Sequence, residues 1–312
     1  MYFPYLRGKQ FELIALREIC SFVDHENLIS PIIEPVKEST VTLEKTLDCL
    51  KAGNINFNFI INPKVGDIKR DSIILSILND KLNGYTNYQP TIIVDNKTDI
   101  TKVGSFVTKE KLENLTIICN SIPKNLETFF DFIDSSSIKY IVLNDKINSK
   151  RFTREVKKKG IATISLTDSF NSAKRNVDYQ NNDDEFFSDE HLFFKDENNI
   201  GFSDFVTIGE DYVDSGFLPY AVAIHLTYLN AEDEFWVRHF VSNSNEDTTD
   251  VAGKFGEALR KLVAFIDEKK LNTEACKVFR ELANKGSYSG LGSIKKLSVM
   301  HHIELVYNYL KA

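Results

Sequence analysis

The sequence of 312 residues lacks several features that would assign a function at once. It has neither the G-x-G-x-x-G turn of a dinucleotide site nor the G-x-x-x-x-G-K-[ST] loop that cradles phosphates. Its four cysteines, Cys20, Cys49, Cys119 and Cys276, form no C-x-x-C pair, so we expect free thiols in a reducing compartment and no zinc site. Because no apolar run is long enough to span a bilayer and no secretory signal begins the chain, we expect a cytoplasmic protein that does not insert into membranes.

An excess of positive charge is also missing. The chain has 38 Lys and Arg residues against 45 Asp and Glu residues, which gives a net charge of −7. Binding of bulk nucleic acid needs clustered basic side chains, so we do not expect it. A small anionic ligand remains compatible with this balance, because a local basic groove is enough to hold it. The composition, 42% hydrophobic and 27% charged, is typical of a globular protein.

A short apolar run recurs six times in the first half of the chain. Runs of this length, rich in β-branched residues, are typical of strands buried on both faces. The six runs are PIIEPV (31–36), FNFIINP (57–63), TIIVDN (91–96), LTIICN (115–120), YIVLND (140–145) and ATISLTD (162–168). Each carries a polar residue at or near its end, namely Glu34, Asn62, Asp95, Asn120, Asn144 and Asp168.

Amphipathic segments between these runs predict helices over 40–53, 72–84, 126–137 and 149–160. Strands and helices that alternate in this way indicate repeated βαβ units. Two architectures compete, a (β/α)8 TIM-like barrel and an open doubly wound sheet. The open sheet usually binds a nucleotide through a glycine-rich first turn, whereas EPVKEST, which follows the first run, has no glycine. We therefore favour the barrel.

The remaining strands of the barrel must come from further along the chain. We predict them at DFVTIG (204–209) and YAVAIHLTYL (220–229), and the second of these forms a hairpin with FWVRHFVSN (235–243). An acidic segment at about 170–203, which contains Phe186, Phe187, Phe193 and Phe194, is interpreted as an insertion at the barrel mouth with a short hairpin of its own. We predict a barrel over 1–250, with helices over 250–270, 272–286 and 294–312 packed on it.

Several segments of the chain resemble one family. YFPYLRGKQFELIAL, ISPIIEPV, GFSDFVTIG, AVAIHLTY and FWVRHFVSN are similar to the bacterial and phage "beta protein" family, and GLGSIKKLSVMHH is similar to the C-terminal signature of one of its branches. The resemblance runs along nearly the whole chain and is most specific in the N-terminal block. No reaction is firmly assigned to that family. Its setting in mobile and phage-related gene neighbourhoods implies a role in phage–host conflict, with a protein partner in a defence-type system.

The polar strand ends are the first group of candidate site residues. In a TIM barrel the carboxyl ends of the strands face the mouth where active sites lie. Glu34 and Asp95 are therefore candidate catalytic residues, and Asn62, Asn120 and Asn144 are candidate substrate-binding residues. A structural explanation competes, because Asn and Asp also begin loops by bonding nearby backbone. Glu34 lies inside its apolar run, so it needs a partner, for which Arg7 and Lys9 are available, and Lys9 is also a candidate for substrate binding.

Two histidines form the second group. If 220–229 and 235–243 pair, His225 and His239 can meet across the hairpin, and either is a candidate for general acid–base catalysis. Neither H-x-H nor H-E-x-x-H spacing is present, so we assign no metal. Arg238 points to the opposite face, and Arg238 and Lys295 are candidates for binding an anion.

The glycines of GLGS, before Lys295, offer backbone amides to the same anion. We interpret Asp183, Asp184 and Glu185 as a solvated acidic surface, and we expect one of His301 and His302 to face water.

Two classes of function follow from these residues. The first is a barrel enzyme that acts on an anionic or phosphate-bearing substrate, with no cofactor assigned by any motif. The second is a non-catalytic recognition or scaffold protein, in which the phenylalanines of the insertion contact a protein partner. An exposed apolar patch at 186–194 would favour the second class.

Overall fold

The computed structural model describes residues 1–23, 27–147, 149–214 and 219–312. The chain divides into two compact units. The first, unit 1, comprises Met1–Lys9, His25–Asp168 and Glu190–Asp204. The second, unit 2, comprises Gln10–Asp24, Ser169–Asp189 and Phe205–Ala312.

The strands form two sheets. In chain order they are β1 (Tyr5–Arg7), β2 (Ile32–Glu34), β3 (Phe57–Ile60), β4 (Tyr88–Val94), β5 (Leu115–Cys119), β6 (Ile138–Asn144), β7 (Ala162–Thr167), β8 (Asp184–Ser188), β9 (Gly201–Asp204), β10 (Ala223–Leu229) and β11 (Phe235–Val241). In the described part of the chain, unit 1 holds eight parallel strands in the order β1-β2-β3-β4-β5-β6-β7-β9. All six strands that the repeated runs predict are present.

These eight strands form a nearly closed (β/α)8 barrel. Tyr2, next to the first strand, pairs with Phe202 of the last, and the amide of Phe3 donates to the Phe202 carbonyl at 2.9 Å. Gly201 is required at this junction, because a Cβ there would lie 2.3 Å from the Met1 carbonyl oxygen and 2.7 Å from the Phe3 ring. The predicted barrel is thus confirmed, and the open sheet is excluded.

The prediction of the last two barrel strands was wrong in detail. The strand near 204–209 lies at Gly201–Asp204, three residues earlier at its start, and 220–229 takes no part in the barrel. The eighth strand is instead β1, at the N-terminus. It has only three residues and ends in Arg7, so it shows neither the apolar run nor the alternation by which a strand is recognised.

Helices connect the strands and complete both units. They are α1 (Gln10–Ile19), α2 (Val41–Ala52), α3 (Asp71–Ser76), α4 (Ile100–Lys109), α5 (Leu126–Ser135), α6 (Lys150–Lys158), α7 (Glu190–Phe193), α8 (Val251–Glu268), α9 (Glu274–Lys285) and α10 (Leu291–Lys311). A π-helical turn, Ile77–Lys81, extends α3, and a 3-10 helix spans Asn176–Asn181. The predicted helices are confirmed, whereas α4 was missed because Gly104 and Ser105 interrupt its apolar face.

Unit 2 is built on a three-stranded antiparallel sheet in the order β10-β11-β8. The predicted hairpin is confirmed: β10 and β11 pair over seven residues each, with Asn230–Glu234 as the acidic turn. The 170–203 segment forms no hairpin of its own, because β8 adds to β11 as the third strand. In α10, a Cβ on Gly292 would lie 1.9 Å from the Phe11 ring of α1, so this glycine permits the two helices to approach closely.

The phenylalanines of that segment divide between core and surface. Phe187 and Phe194 are buried, at 2% and 5% exposure, whereas Phe186 and Phe193 are 45% and 50% exposed. Phe187 packs on the His302 ring with centroids 4.9 Å apart, and Phe194 packs on Phe202 at 5.6 Å. Of the four phenylalanines by which the recognition hypothesis would contact a partner, Phe186 and Phe193 are therefore the exposed ones.

Among the described residues, no helix is both long enough and apolar enough to cross a membrane. The expectation that the C-terminal helices lie against the barrel stays a prediction.

Candidate functional site

Two of the polar strand ends of unit 1, Glu34 and Asn144, lie on the inner face of the barrel. Two contacts identify that face, because each crosses between strands that are not neighbours. The Phe3 and Tyr140 rings meet edge to face at 5.5 Å, and Thr116 Oγ1 donates to Asn58 Oδ1 at 2.7 Å. Side chains two residues apart on a strand share a face, and Cα partners on parallel neighbours do too. Alternation and register place Glu34 of β2 and Asn144 of β6 on this inner face. The other polar residues follow the ends of their strands by one or two positions, namely Asn62, Asp95, Asn120 and Asp168.

Glu34 is held on both of its oxygens. Its Oε2 accepts from the Tyr5 hydroxyl at 2.8 Å and forms an ion pair with Arg7 Nε at 3.2 Å, while Oε1 accepts from the Lys64 amide at 2.7 Å. The carboxylate is only 2% exposed. Arg7 is thus a partner of the kind that the buried carboxylate requires. Lys9 lies half-buried directly before α1.

Asp95 begins the loop after β4. Its Oδ1 accepts from the Lys97 amide at 2.8 Å and the Thr98 hydroxyl at 2.9 Å, and Oδ2 pairs with Lys64 Nζ at 3.2 Å. Burial raises the pKa of Asp95, but these hydrogen bonds and the nearby ammonium outweigh it and lower the pKa below its ordinary value. The carboxyl is therefore a stable carboxylate with its acceptor sites occupied.

The three asparagines differ in how their amides are used. Asn62 exchanges two hydrogen bonds of 2.8 Å with the backbone of Ile93, and Asn144 Oδ1 accepts from the Lys146 amide at 3.0 Å. Only the Asn144 bond is the local bond to backbone that the competing structural explanation describes. Asn62 instead bonds the backbone of Ile93 on the neighbouring strand β4. Asn120 differs, because its buried Oδ1 has no partner in the part of the chain that the structure describes. Their roles in binding a substrate stay predictions.

The two histidines of unit 2 are brought together as the hairpin predicted. His225 and His239 are direct partners in the pairing of β10 with β11, and their Nδ1 atoms are 2.7 Å apart. His239 Nε2 is 2.8 Å from Glu185 Oε1 on β8. Asn171 Nδ2 donates to the other carboxylate oxygen, Oε2, at 2.8 Å. A continuous chain therefore joins Asn171, Glu185, His239 and His225.

This chain fixes the tautomer of each neutral imidazole. Because the Glu185 carboxylate only accepts, His239 must carry its proton on Nε2, which leaves Nδ1 as an acceptor. His225 then donates from its own Nδ1, so its Nε2 holds the free lone pair. His225 Nε2 makes no hydrogen bond to any residue within the described ranges. The arrangement is a carboxylate–imidazole–imidazole relay that ends in a basic nitrogen.

Aromatic rings enclose the relay. Phe170 stands edge-on to His225 at 5.0 Å, and the Tyr179 ring is 4.6 Å from His225 and 4.4 Å from His239. Tyr179 is held in place because its hydroxyl accepts from the Ala173 amide at 3.0 Å. These contacts restrict rotation of both imidazoles and exclude water from one side of the pair.

The same enclosure keeps both imidazoles neutral. Burial lowers the pKa of His225 well below its ordinary value of 6.5, and the neighbouring His239 and Lys295 lower it further. Burial also lowers the pKa of His239, and this outweighs the opposing effect of Glu185. At neutral pH the relay is therefore unprotonated at its terminal nitrogen, which is the state that a general base needs.

The two candidate anion-binding cations differ. Lys295, on the first turns of α10, is exposed, and its charge acts on His225. Arg238 lies on the opposite face of β11, as predicted, but it is occupied: it pairs with Asp184 at 3.1 Å and stacks over Phe265 at 4.9 Å. The close packing of Gly292 on Phe11 gives the second glycine of GLGS a structural reason. Of these two cations, Lys295 is therefore the one whose charge acts on the relay.

The interpretation of 183–185 as a solvated surface was wrong for two of its residues. Asp184 accepts from the Tyr228 hydroxyl at 3.0 Å and pairs with Arg238, and the Glu185 side chain is only 15% exposed. Glu185 belongs to the candidate site, and sequence reasoning missed it. The signal that could have found it is the alternation in DEFFS, which predicts a strand with Glu185 and Phe187 on one face.

The histidines of α10 are also placed otherwise than expected. Both His301 and His302 are fully buried, at 0% exposure, so neither faces water. They bind one residue of β10: His301 Nε2 lies 2.7 Å from the Thr227 carbonyl, and His302 Nδ1 lies 3.0 Å from the Thr227 hydroxyl. These bonds fix β10, which carries His225, to α10.

Fold and site together define a class: a chain that combines a (β/α)8 barrel unit with a histidine relay on a separate antiparallel sheet. No family model matches the chain, and no curated protein sequence matches it. Among solved structures, it is similar to D-psicose 3-epimerase crystallised in the presence of D-fructose, with 14% identity and a TM-score of 0.36. That similarity covers 69% of this chain and 86% of the epimerase. The barrel itself is defined by the strand order described above.

Proposed function

We propose that the chain is an enzyme in which His225 acts as general base on an anionic substrate. The observation that carries the proposal is the relay from Glu185 through His239, which presents an unprotonated Nε2 on His225 at neutral pH. When this nitrogen removes a proton from a hydroxyl group or from water, the positive charge that develops passes toward the Glu185 carboxylate. A positioned base of this kind contributes about 10²- to 10⁴-fold to a rate.

Lys295 supports the anionic class of substrate. Its ammonium group is exposed and near enough to His225 to lower the pKa of that imidazole. A bound phosphate or carboxylate would neutralise this charge, so substrate binding would make His225 more basic at the moment of reaction. Activation of water for attack on an ester of such an acid is the reaction that this geometry supports best.

Hydrolysis of chromogenic esters tests the proposal directly. The panel consists of p-nitrophenyl phosphate, bis-p-nitrophenyl phosphate and the uncharged p-nitrophenyl acetate. His225→Gln, which keeps a polar side chain but cannot take up the proton, should lower kcat by about 10²- to 10⁴-fold. Lys295→Ala should raise KM for the two phosphate esters only. Lys285→Ala, at an exposed lysine of α9, is the matched control and should change neither constant.

Two results would contradict the assignment. One is hydrolysis that proceeds at the same rate in His225→Gln. The other is a nitrogen NMR spectrum in which His225 is protonated on Nε2 at neutral pH, because the relay could not then accept a proton.

A recognition role is the second candidate, and the exposed side chain of Phe186 supports it. Phe186 lies on β8, edge-on to the half-buried Trp236 of β11 at 6.4 Å, so the two rings offer an apolar surface on unit 2. In this alternative the partner is a protein of a defence-type system in phage–host conflict, as the family resemblance implies. The four free thiols support an action in the cytoplasm in either case. Phe186→Ser would abolish binding of such a partner and leave ester hydrolysis unchanged.

A further inference from the structure

A second group of reactive side chains lies at the start of α9, apart from the relay. Cys276 Sγ is 3.4 Å from His301 Nδ1 and 3.1 Å from the Thr273 hydroxyl, which is itself 2.8 Å from the same nitrogen. Cys276 and His301 are 0% exposed, and Thr273 is 3% exposed. A thiol, an imidazole and a hydroxyl therefore form a closed triangle inside unit 2.

The hydrogen bonds of the triangle allow a proton to move from the Cys276 sulfur to a nitrogen of His301. His301 Nε2 donates to the Thr227 carbonyl, so Nδ1 is the acceptor in the neutral ring and the site where a second proton binds. If Cys276 transfers its proton to Nδ1, the thiolate accepts hydrogen bonds from Nδ1–H and from the Thr273 hydroxyl. The thiolate and the imidazolium that result are thus both hydrogen-bonded, as a buried pair of opposite charges requires.

The two fully buried cysteines of the chain differ in this respect. Cys119 lies in the apolar interior of β5, and burial raises the pKa of its thiol to about 12. Burial also acts to raise the pKa of Cys276, but His301 and Thr273 outweigh it and lower the pKa below the ordinary value. The pKa of His301 is raised above its ordinary value: burial lowers it, but Cys276, the Thr227 carbonyl and Glu304 together outweigh the effect of burial.

We propose that Cys276 is a site of oxidation by small hydroperoxides, with His301 as its proton donor. The Cys276 thiolate attacks the terminal oxygen of the peroxide, so an S–O bond forms as the O–O bond breaks. The sulfur is oxidised by two electrons to a sulfenic acid, and the peroxide is reduced. His301 gives its Nδ1 proton to the leaving oxygen, which departs as water from hydrogen peroxide or as an alcohol from an alkyl hydroperoxide.

Because Cys276 is 0% exposed, access to its sulfur needs a local opening, and we infer that the first turn of α9 is the part that opens. Cys276 is the third residue of the helix, and its amide donates to the Thr273 hydroxyl that caps the helix. The neighbouring Lys277 and Val278 are exposed. Opening of a single terminal turn costs far less than global unfolding, so it admits a molecule as small as hydrogen peroxide while α10 keeps His301 in place.

Trapping of the sulfenic acid in the folded, full-length protein tests the proposal. The protein is treated with hydrogen peroxide and dimedone at a series of pH values, and each cysteine is quantified by mass spectrometry. At neutral pH we expect labelling of Cys276 at least about tenfold faster than of the equally buried Cys119. The labelling of Cys276 should also begin at lower pH in the folded protein than in urea, where its thiol has no partners.

His301→Gln, with folding confirmed by circular dichroism, should reduce the labelling of Cys276 to the level of Cys119 and leave Cys20 and Cys49 unchanged. Hydrogen exchange at the Cys276 amide, measured in both proteins, corrects the rates for any difference in the opening of α9. Three results would overturn the proposal: no sulfenic acid at Cys276, the same corrected rate in His301→Gln, or the same pH profile in the folded protein as in urea.

Discussion

The buried ion pair of the barrel gives the sharpest prediction about stability. Glu34 and Arg7 are almost completely buried, at 2% and 8% exposure, and Glu34 also accepts from the Tyr5 hydroxyl and the Lys64 amide. Glu34→Gln keeps the shape of the side chain but removes its charge. Arg7 then keeps its buried charge but loses its ion pair with Glu34, and the new amide group turns an N–H donor toward other donors.

The loss of this ion pair should lower the free energy of unfolding. Removal of one partner from a buried ion pair destabilises a protein by about 3–5 kcal/mol. For a unit of this size, that corresponds to a fall in Tm of about 6–20 °C. The chain offers a matched control only four residues away, because Glu38 pairs with Arg70 at 3.5 Å with side chains 45% and 68% exposed. Glu38→Gln should cost only about 0–1 kcal/mol.

Urea unfolding followed by circular dichroism measures both changes. The midpoint should fall in Glu34→Gln while the slope stays the same, since a change of slope would signal a change in the surface exposed on unfolding. The double variant with Arg7→Met should regain much of the stability, because no buried charge then remains unpaired. Equal midpoints for Glu34→Gln and Glu38→Gln would refute this reasoning, as would a double variant less stable than Glu34→Gln alone.

Two further predictions concern unit 2. Burial lowers the pKa of His225 in the folded state, so the unfolded chain binds the proton more readily. Stability should therefore be retained above the ordinary pKa of about 6.5 and lost as pH falls below it. Urea midpoints at pH 7.5 and 5.5 measure this loss, which should be smaller in His225→Gln than in the unchanged protein. An equal loss in both proteins would contradict the prediction. Gly292→Ala drives a Cβ into the Phe11 ring and should lower the free energy of unfolding by about 1–3 kcal/mol. Gly256→Ala, in an open position of α8, should raise it by about 0.5–1 kcal/mol. Thermal unfolding that ranks the two variants the other way round would disprove this account.

The sequence predicted the two histidines of the candidate site but not Glu185. Alternation along two neighbouring segments was enough to place His225 opposite His239, because a tight hairpin fixes its register locally. Glu185 was not found, since it joins them only when β8, about fifty residues earlier in the chain, adds to β11. At the barrel rim the polar strand ends were recognised, but the pattern did not separate Glu34, which pairs with Arg7 on the neighbouring strand, from Asn144, which binds its own loop.

The sequence alone determined the six repeated strands, most of the helices between them and the polar residues at or next to the strand ends. These features depend on periodicity and on caps, which act over a few residues and are written in the local order of side chains. Only the tertiary structure decided that Tyr5–Arg7 supplies the eighth strand, that 223–229 belongs to a different sheet and that His301 meets Cys276. Those outcomes depend on contacts between segments that are distant in the chain. The rest of the fold decides whether three residues form a strand and which group a buried histidine contacts.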